Sequence, residues 1–231
     1  MKRSPSAELL DSDAGTPEEI ADSLADLRRI NRWFGGSSTM QALVETVVRR
    51  TGARALSLLD VAGASGDIPS RVEAALARRN VQLRVTVLDR ARSHLSSQNG
   101  FMKVVGCATS LPFRDGSFDL VGSSLLVHHL SPDEVRVAAR EWLRVCRVAV
   151  VVNDLRRSWT HLALVYAGFP MYASRLTRND GPASVRQAYT ADEMRDLLRD
   201  IGAQRIDFFR HFLYRMGVIL WKQRPPRESL S

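Results

Sequence analysis

Four groups of residues have types and spacings that suit chemistry on a bound molecule. Leu59-Asp60-Val61-Ala62-Gly63-Ala64-Ser65-Gly66-Asp67 runs from an apolar segment ending in an acid, through a turn of small residues, into a helix start. Small residues let a ligand come close to the backbone. The helix start adds unpaired N–H groups and the positive end of a dipole. Asp89 closes a second apolar segment, Val85 to Leu88, 23 residues beyond Gly66, and is followed by Arg90. An acid so placed accepts both ribose hydroxyls of a nucleoside. His128 and His129 follow a third such segment, which ends at Ser123, and an imidazole there is placed to take a proton from an acceptor as a general base. Asp154, Arg156 and Arg157 close a fourth segment and suit an anionic or hydroxylated substrate. Tyr166 follows them in an apolar stretch. The two cysteines, Cys107 and Cys146, have no metal-ligand spacing, and no metal is expected.

These groups need strands that end together. Ala55 to Val61, Leu83 to Leu88, Val104 with Val105, Phe118 to Ser123 and Val148 to Val152 read as short buried strands. Helical patterns alternate with them. Asp67 is placed to cap one helix, with Pro69 in its first turn. Ser131-Pro-Asp-Glu134 and Thr190-Ala-Asp-Glu193 are capping boxes opening two more. Two helices are expected ahead of the first strand, at about 20–34 and 38–50. Two late strands, at about 205–209 and 216–222, complete the pattern. Alternating strands and helices predict an α/β fold: a doubly wound, mostly parallel seven-stranded sheet with an antiparallel edge strand. In such a sheet ligands sit at the carboxyl ends of the strands.

One block is more specific. Ser110-Leu-Pro-Phe113 leads to Ser117-Phe118-Asp119-Leu-Val121 and on to Leu126-Val-His128-His129-Leu130. With Asp60 and Asp89, this succession resembles the class I, Rossmann-like S-adenosylmethionine-dependent methyltransferases. The likeness is to the small-molecule branch, with its ubiquinone and menaquinone C-methyltransferases and phenolic-lipid O-methyltransferases, and covers about residues 52–155. The resemblance implies S-adenosylmethionine as cofactor, held by Asp60, Ala62, Gly63, Ala64, Gly66, Asp89, Arg90, Cys107, Ala108 and Ser123. It implies a catalytic place for His128 and His129, and a small apolar or aromatic acceptor near Asp154, Arg156, Arg157 and Tyr166. The chain departs from the family pattern at three positions. Ala62 and Ala64 stand where the family has glycine, which suits a turn with φ below zero. Cys107 stands where the family often has an aspartate on the adenine amine, and a thiol is a weak partner there.

The 231 residues are enough for one α/β domain with its own core. We expect a flexible tail over 1–18, a methyltransferase domain over 19–224 with an apolar lid insertion at about 156–188, and a second tail over 225–231. The net charge is +8, with 33 basic residues of which only Lys2, Lys103 and Lys222 are lysines. Those charges are spread along the chain, as on a solvated surface. No RNA-binding module is appended, and Gly122-Ser-Ser-Leu125 replaces the Pro-Pro-aromatic tetrapeptide of amino-methylating enzymes. No nucleic-acid partner and no integral membrane contact is therefore expected, and two unpaired cysteines suit a reducing cytoplasm. The alternatives are a nucleic-acid methyltransferase and a non-catalytic methyltransferase-like binding module.

Overall fold

The computed structural model describes residues 1–10, 15–95, 100–211 and 214–222. The expected tail at 225–231 and part of the first lie outside them. Helix α1 spans Pro17–Trp33 and opens on a capping box in which Thr16 and Glu19 satisfy each other's backbone N–H. Helix α2 spans Gly36–Thr51 and stops at Gly52 in the left-handed conformation. Then follow β1 (Ala55–Val61), α3 (Asp67–Ala77), β2 (Gln82–Asp89), β3 (Met102–Val105), β4 (Phe118–Ser124), α4 (Pro132–Val145) and β5 (Cys146–Leu155). Helices α5 (Trp159–Ala167), α6 (Arg175–Gln187) and α7 (Ala191–Leu198) lead to β6 (Arg205–His211) and β7 (Arg215–Trp221). Both later capping boxes form as expected, at Ser131 and Thr190. Helix α3 differs: its cap is Gly66, with φ 70°, and Asp67 is the first helical residue.

The strands form one sheet in the order β3-β2-β1-β4-β5-β7-β6. The first five are parallel, and β7 runs antiparallel to both β5 and β6, so the reversed strand lies one place in from the edge. Successive strand residues point to opposite faces, and both faces are apolar. Leu59, Val61, Val121, Val150 and Val152 meet α4 and α7 through Val135, Trp142, Leu143, Met194 and Leu198. Leu58, Leu120, Val151 and Ile219 meet α2 and α3 through Met40, Leu43, Val47, Val72 and Leu76. This two-sided burial is why the strands read as unbroken apolar runs. Trp142 fills the first layer and donates its indole N–H to the Ala108 carbonyl (2.9 Å), which ties α4 to the loop after β3.

The stretch at 156–188 consists of packed helices, α5 and α6, with a 3₁₀ turn at Phe169–Met171 between them. Helix α6 is fixed to α1. The buried Asp26 carboxylate accepts from the N–H groups of Ala173 (3.2 Å) and Ser174 (2.9 Å), and the Ser23 and Thr177 hydroxyls bond at 3.2 Å.

The first ten residues correct the expectation of a flexible tail. They form a strap over the carboxyl ends of the strands. Arg3 donates to the carbonyls of Gln187 (2.6 Å), His128 (3.0 Å) and Leu130 (2.9 Å), with its guanidinium 4.2 Å above the Tyr189 ring. The Leu9 and Leu10 amides donate to the Asp180 carboxylate at 2.9 and 3.0 Å. Glu8 is buried. No helix among the described residues is long and apolar enough to cross a membrane.

Candidate functional site

A cavity of about 700 Å³ lies at the carboxyl ends of the central strands, beneath α1, α5, α6 and the strap. That volume is typical of a ligand site. Its lining divides into an acidic end, a polar end rich in histidine, and an apolar wall.

The acidic end is built by the turn between β1 and α3. Gly63 donates to the Leu88 carbonyl (3.1 Å), and Gly66 to the Gly63 carbonyl (2.8 Å). The Asp89 carboxylate accepts from the amides of Ala64 (3.0 Å) and Ala91 (2.9 Å), so it clasps the turn and holds its own orientation at once. A Cβ on Gly63 would lie 2.4 Å from Asp60 Oδ2 and 2.8 Å from Val87 Cγ1, so this position has no room for a side chain. The two alanines correct the expectation of negative φ: Ala62 has φ 57° and Ala64 has φ 44°. Both occupy the left-handed region, which costs an L-residue about 1–2 kcal/mol. The turn thus keeps a glycine-type backbone without the glycines.

Asp60 is buried and, among the described residues, accepts no hydrogen bond. Burial, reinforced by the charges of Asp67 and Asp89, pushes its carboxyl up to about 8. Three carboxyl groups therefore converge on the cavity, with His94 Nδ1 3.9 Å from Asp89 Oδ1. Asp67 Oδ2 is buried and has no partner among the described residues. Such a donor set calls for a ligand that brings positive charge and hydroxyl donors. An amino-acid sulfonium nucleoside meets both demands.

Arg90, Cys107 and Ala108 also line this end. Cys107 is exposed and its thiol lies 3.1 Å from the Thr109 hydroxyl. That bond, with backbone N–H groups and the nearby Arg90 charge, holds the thiol below its ordinary range. Two expected cofactor residues stand elsewhere. Ser123 is fully buried and donates to the Val61 carbonyl (3.1 Å), so it bridges two strands. Gly66 shapes the helix cap and is outside the lining.

The polar end centres on the 3₁₀ turn Val127–His129. His128 is buried; its Nδ1–H donates to Asp154 Oδ1 (2.6 Å), and its backbone N–H donates to Oδ2 (3.2 Å). Burial alone would lower the imidazole, but Asp154 and Glu8 outweigh it and raise it to about 10. The two carboxylates thus favour the protonated form of the imidazole. His129 packs against it with the rings tilted by 35° and their centroids 4.1 Å apart. Glu8 reaches the same spot from the strap. Its Oε1 accepts from Ser184 Oγ and Gln187 Nε2, both at 2.6 Å. Burial raises Glu8, yet His128, His129 and Ser184 together hold it below the ordinary carboxylate value.

The expected substrate residues do not face the cavity. Asp154 acts through His128. Arg156 lies 5.8 Å from the Tyr214 ring centroid. Arg157 is buried against the Met1 and Ala188 carbonyls and pairs with Glu193 at 2.6 Å. The Tyr166 hydroxyl accepts from Arg186 on the surface. Their places are taken by residues no local pattern announced. Arg215, on β7, is buried at the cavity and donates to the Phe34 carbonyl (3.2 Å), while its Nη1 has no partner among the described residues. Burial lowers this guanidinium to about 10. His161 stacks on Tyr214 and burial lowers it to about 4, so it is a neutral wall. The apolar wall is made by Leu24, Leu27, Ile30 and Phe34 from the α1 side, and by Leu164, Val165 and Met171 opposite.

Residues 59–151 match the family described as "Methyltransferase domain". No curated protein matches the chain. Among solved structures the chain is similar to a SAM-dependent methyltransferase from Aquifex aeolicus, 15% identical with a TM-score of 0.57 over 80% of this chain and 92% of that one. It is similar to human N-acetylserotonin methyltransferase in complex with SAM, 12% identical with a TM-score of 0.59 over 86% of this chain and 54% of that one. It is also similar to magnesium protoporphyrin IX methyltransferase from Synechocystis PCC 6803 with bound SAH, 14% identical with a TM-score of 0.55 over 82% of this chain and 84% of that one. The chain thus spans about half the length of the human protein. At these identities the likeness is one of fold.

Proposed function

We propose that this S-adenosylmethionine-dependent methyltransferase acts on a small, apolar or aromatic acceptor that carries an oxygen function. One observation carries the reading: a single cavity joins an acidic cofactor end to an apolar wall with a basic, histidine-rich corner. Asp89 would hold the ribose hydroxyls, and Asp60 and Asp67 would face the positive charge of the amino-acid part. Gly63 and Ala64 would let the ligand reach the backbone, and Cys107 and Ala108 would border the adenine. When bound, S-adenosylmethionine supplies a methyl carbon that bonds to the acceptor as its bond to sulfur breaks, the electron pair staying on sulfur and the acceptor's proton passing to water.

The chain's own work is positioning, which is worth several kcal/mol in such reactions. The wall of α1 and α5 selects apolar bulk. Arg215, a buried cation with a donor to spare, faces acceptors bearing a carbonyl or oxyanion. Glu8, His128 and His129 bound the corner where the acceptor's proton leaves. The apolar wall favours a small molecule over a nucleic acid.

Calorimetric titration with S-adenosylhomocysteine tests the reading. At a hundred times the dissociation constant, the ligand should add about 2.7 kcal/mol to stability, which raises the melting temperature by about 5–10 °C in a chain of this size. No heat of binding and no thermal shift at millimolar ligand would overturn it.

A further inference from the structure

We infer that Glu8, His128 and His129 form a binding site for one divalent transition-metal ion at the acceptor end of the cavity. The inference deepens the methyltransferase reading and rests on it for the purpose of the site, though not for the site's existence.

The geometry is that of ligands around a shared centre. His128 Nε2 lies 3.7 Å from Glu8 Oε1, and His129 Nε2 lies 3.9 Å from Glu8 Oε2. One ligand atom from each of the three residues falls within 4.8 Å of the others. These separations are those of ion pairs, longer than the ordinary direct hydrogen bond. The two imidazole–carboxylate separations, made to different oxygens of Glu8, are a few tenths of an ångström longer than the roughly 3.4 Å edge of a tetrahedron with metal–ligand bonds of about 2.0–2.2 Å, and no separation in the group exceeds 4.8 Å. Small side-chain movements would close the difference.

The surroundings are those of a ligand set. A metal-bound imidazole is usually oriented by a carboxylate on its other nitrogen. His128 has that arrangement, with Nδ1–H on Asp154 Oδ1 at 2.6 Å. Glu8 is oriented in turn by Ser184 and Gln187. Asp154, Ser184 and Gln187 are thus positioning residues. Glu8 and His128 are buried, with only His129 partly open to solvent, so the site is reached through the cavity. Two imidazoles and one carboxylate select a zinc-like ion over magnesium or calcium, which prefer oxygen-only ligands, and the ion would displace the His128 Nε2 proton to solvent as it binds. Three protein ligands leave a coordination position for an acceptor oxygen, as in catalytic sites. An ion there lowers the pKa of a bound hydroxyl. The acceptor class narrows accordingly to phenols, enols and hydroxylated carbonyl compounds.

The test is metal binding by the full chain, stripped with a chelator and titrated with zinc chloride by calorimetry and with cobalt(II) by absorption. Wild type should bind one equivalent and show the visible bands of tetrahedral cobalt. Glu8→Gln and His129→Asn should each weaken binding at least about ten-fold, and Asp154→Asn by about 10–100-fold. Cys107→Ser should leave zinc affinity unchanged, whatever it does at the cofactor end, which excludes the exposed thiol. Melting curves and S-adenosylhomocysteine titrations of each variant show whether it is folded with its cofactor end intact. Absence of stoichiometric binding, or equal affinity in wild type, Glu8→Gln and His129→Asn, would overturn the site. Loss of S-adenosylhomocysteine binding in every form would instead overturn the methyltransferase reading and leave the metal result standing.

Discussion

At the scale of the residue, two positions decide how the acidic end works. Ala62 and Ala64 carry positive φ, and Gly63 has no room for a Cβ. Glycine at 64 would relieve about 1–2 kcal/mol of backbone strain against an entropy cost of about 0.5–1 kcal/mol. Ala64→Gly should therefore leave stability unchanged or raise it by up to about 1.5 kcal/mol, whereas Gly63→Ala should lower it by about 1–3 kcal/mol through overpacking against Asp60 and Val87. Denaturant unfolding of both variants reads the difference; a loss of about 1 kcal/mol in Ala64→Gly, as in a helix interior, would contradict the positive φ. Asp60 makes the second prediction. Its carboxyl titrates near 8 when folded and near 3.9 when unfolded. Between those values the folded chain holds a proton that the unfolded chain has lost. Its contribution to stability is complete below about pH 4 and is lost as pH rises through 8. Asp60→Asn removes this titration, so its stability should fall less than that of wild type between about pH 5 and pH 8.5. Parallel pH profiles would show the carboxyl ionised in the folded state.

At the scale of the element, the strap is the part with most influence for its length. It brings Glu8 to residues more than a hundred positions away, and Arg3 holds it there through three backbone carbonyls. Arg3→Ala strands those carbonyls and should cost about 1–2 kcal/mol, the range for charged donors that are partly exposed. The amides of Leu9 and Leu10, bonded to Asp180, should then exchange with solvent faster, while S-adenosylhomocysteine affinity stays within about two-fold because the acidic end touches none of the strap's anchors. Unchanged exchange at those two amides would show that Asp180 alone fixes the strap. Helices α1 and α6 are a different case, since Asp26 and Ser23 join them through buried bonds that an isolated roof helix would lack.

At the scale of the molecule, legibility followed locality. The first strand, Ala55–Val61, and the capping boxes at Ser131 and Thr190 are written in adjacent residues, and their signals hold wherever the segment packs. The acidic end was legible for the same reason, since the turn and Asp89 each close a strand. Glu8 was not, because its short polar surroundings resemble a tail and its partners lie across the fold. Arg215 was hidden in an apolar strand whose register alone turns it toward the cavity. Asp154, Arg156 and Arg157 were misread because β5 continues to Leu155, which sends their side chains to His128, Tyr214 and Glu193.

Strand β7 sits between β5 and β6, so the last strand among the described residues fills an inner slot of the sheet. During synthesis, every earlier strand exists before β7 does. Until residues 215–221 emerge, β5 presents Ala149-Val150-Val151-Val152 as an unpaired apolar edge, and β6 has no neighbour at all. Exposed edges of that kind template pairing between chains. The nascent protein is therefore prone to aggregate in the interval between synthesis of β6 and of β7, and a ribosome stalled after β6 would release a chain with that edge uncovered.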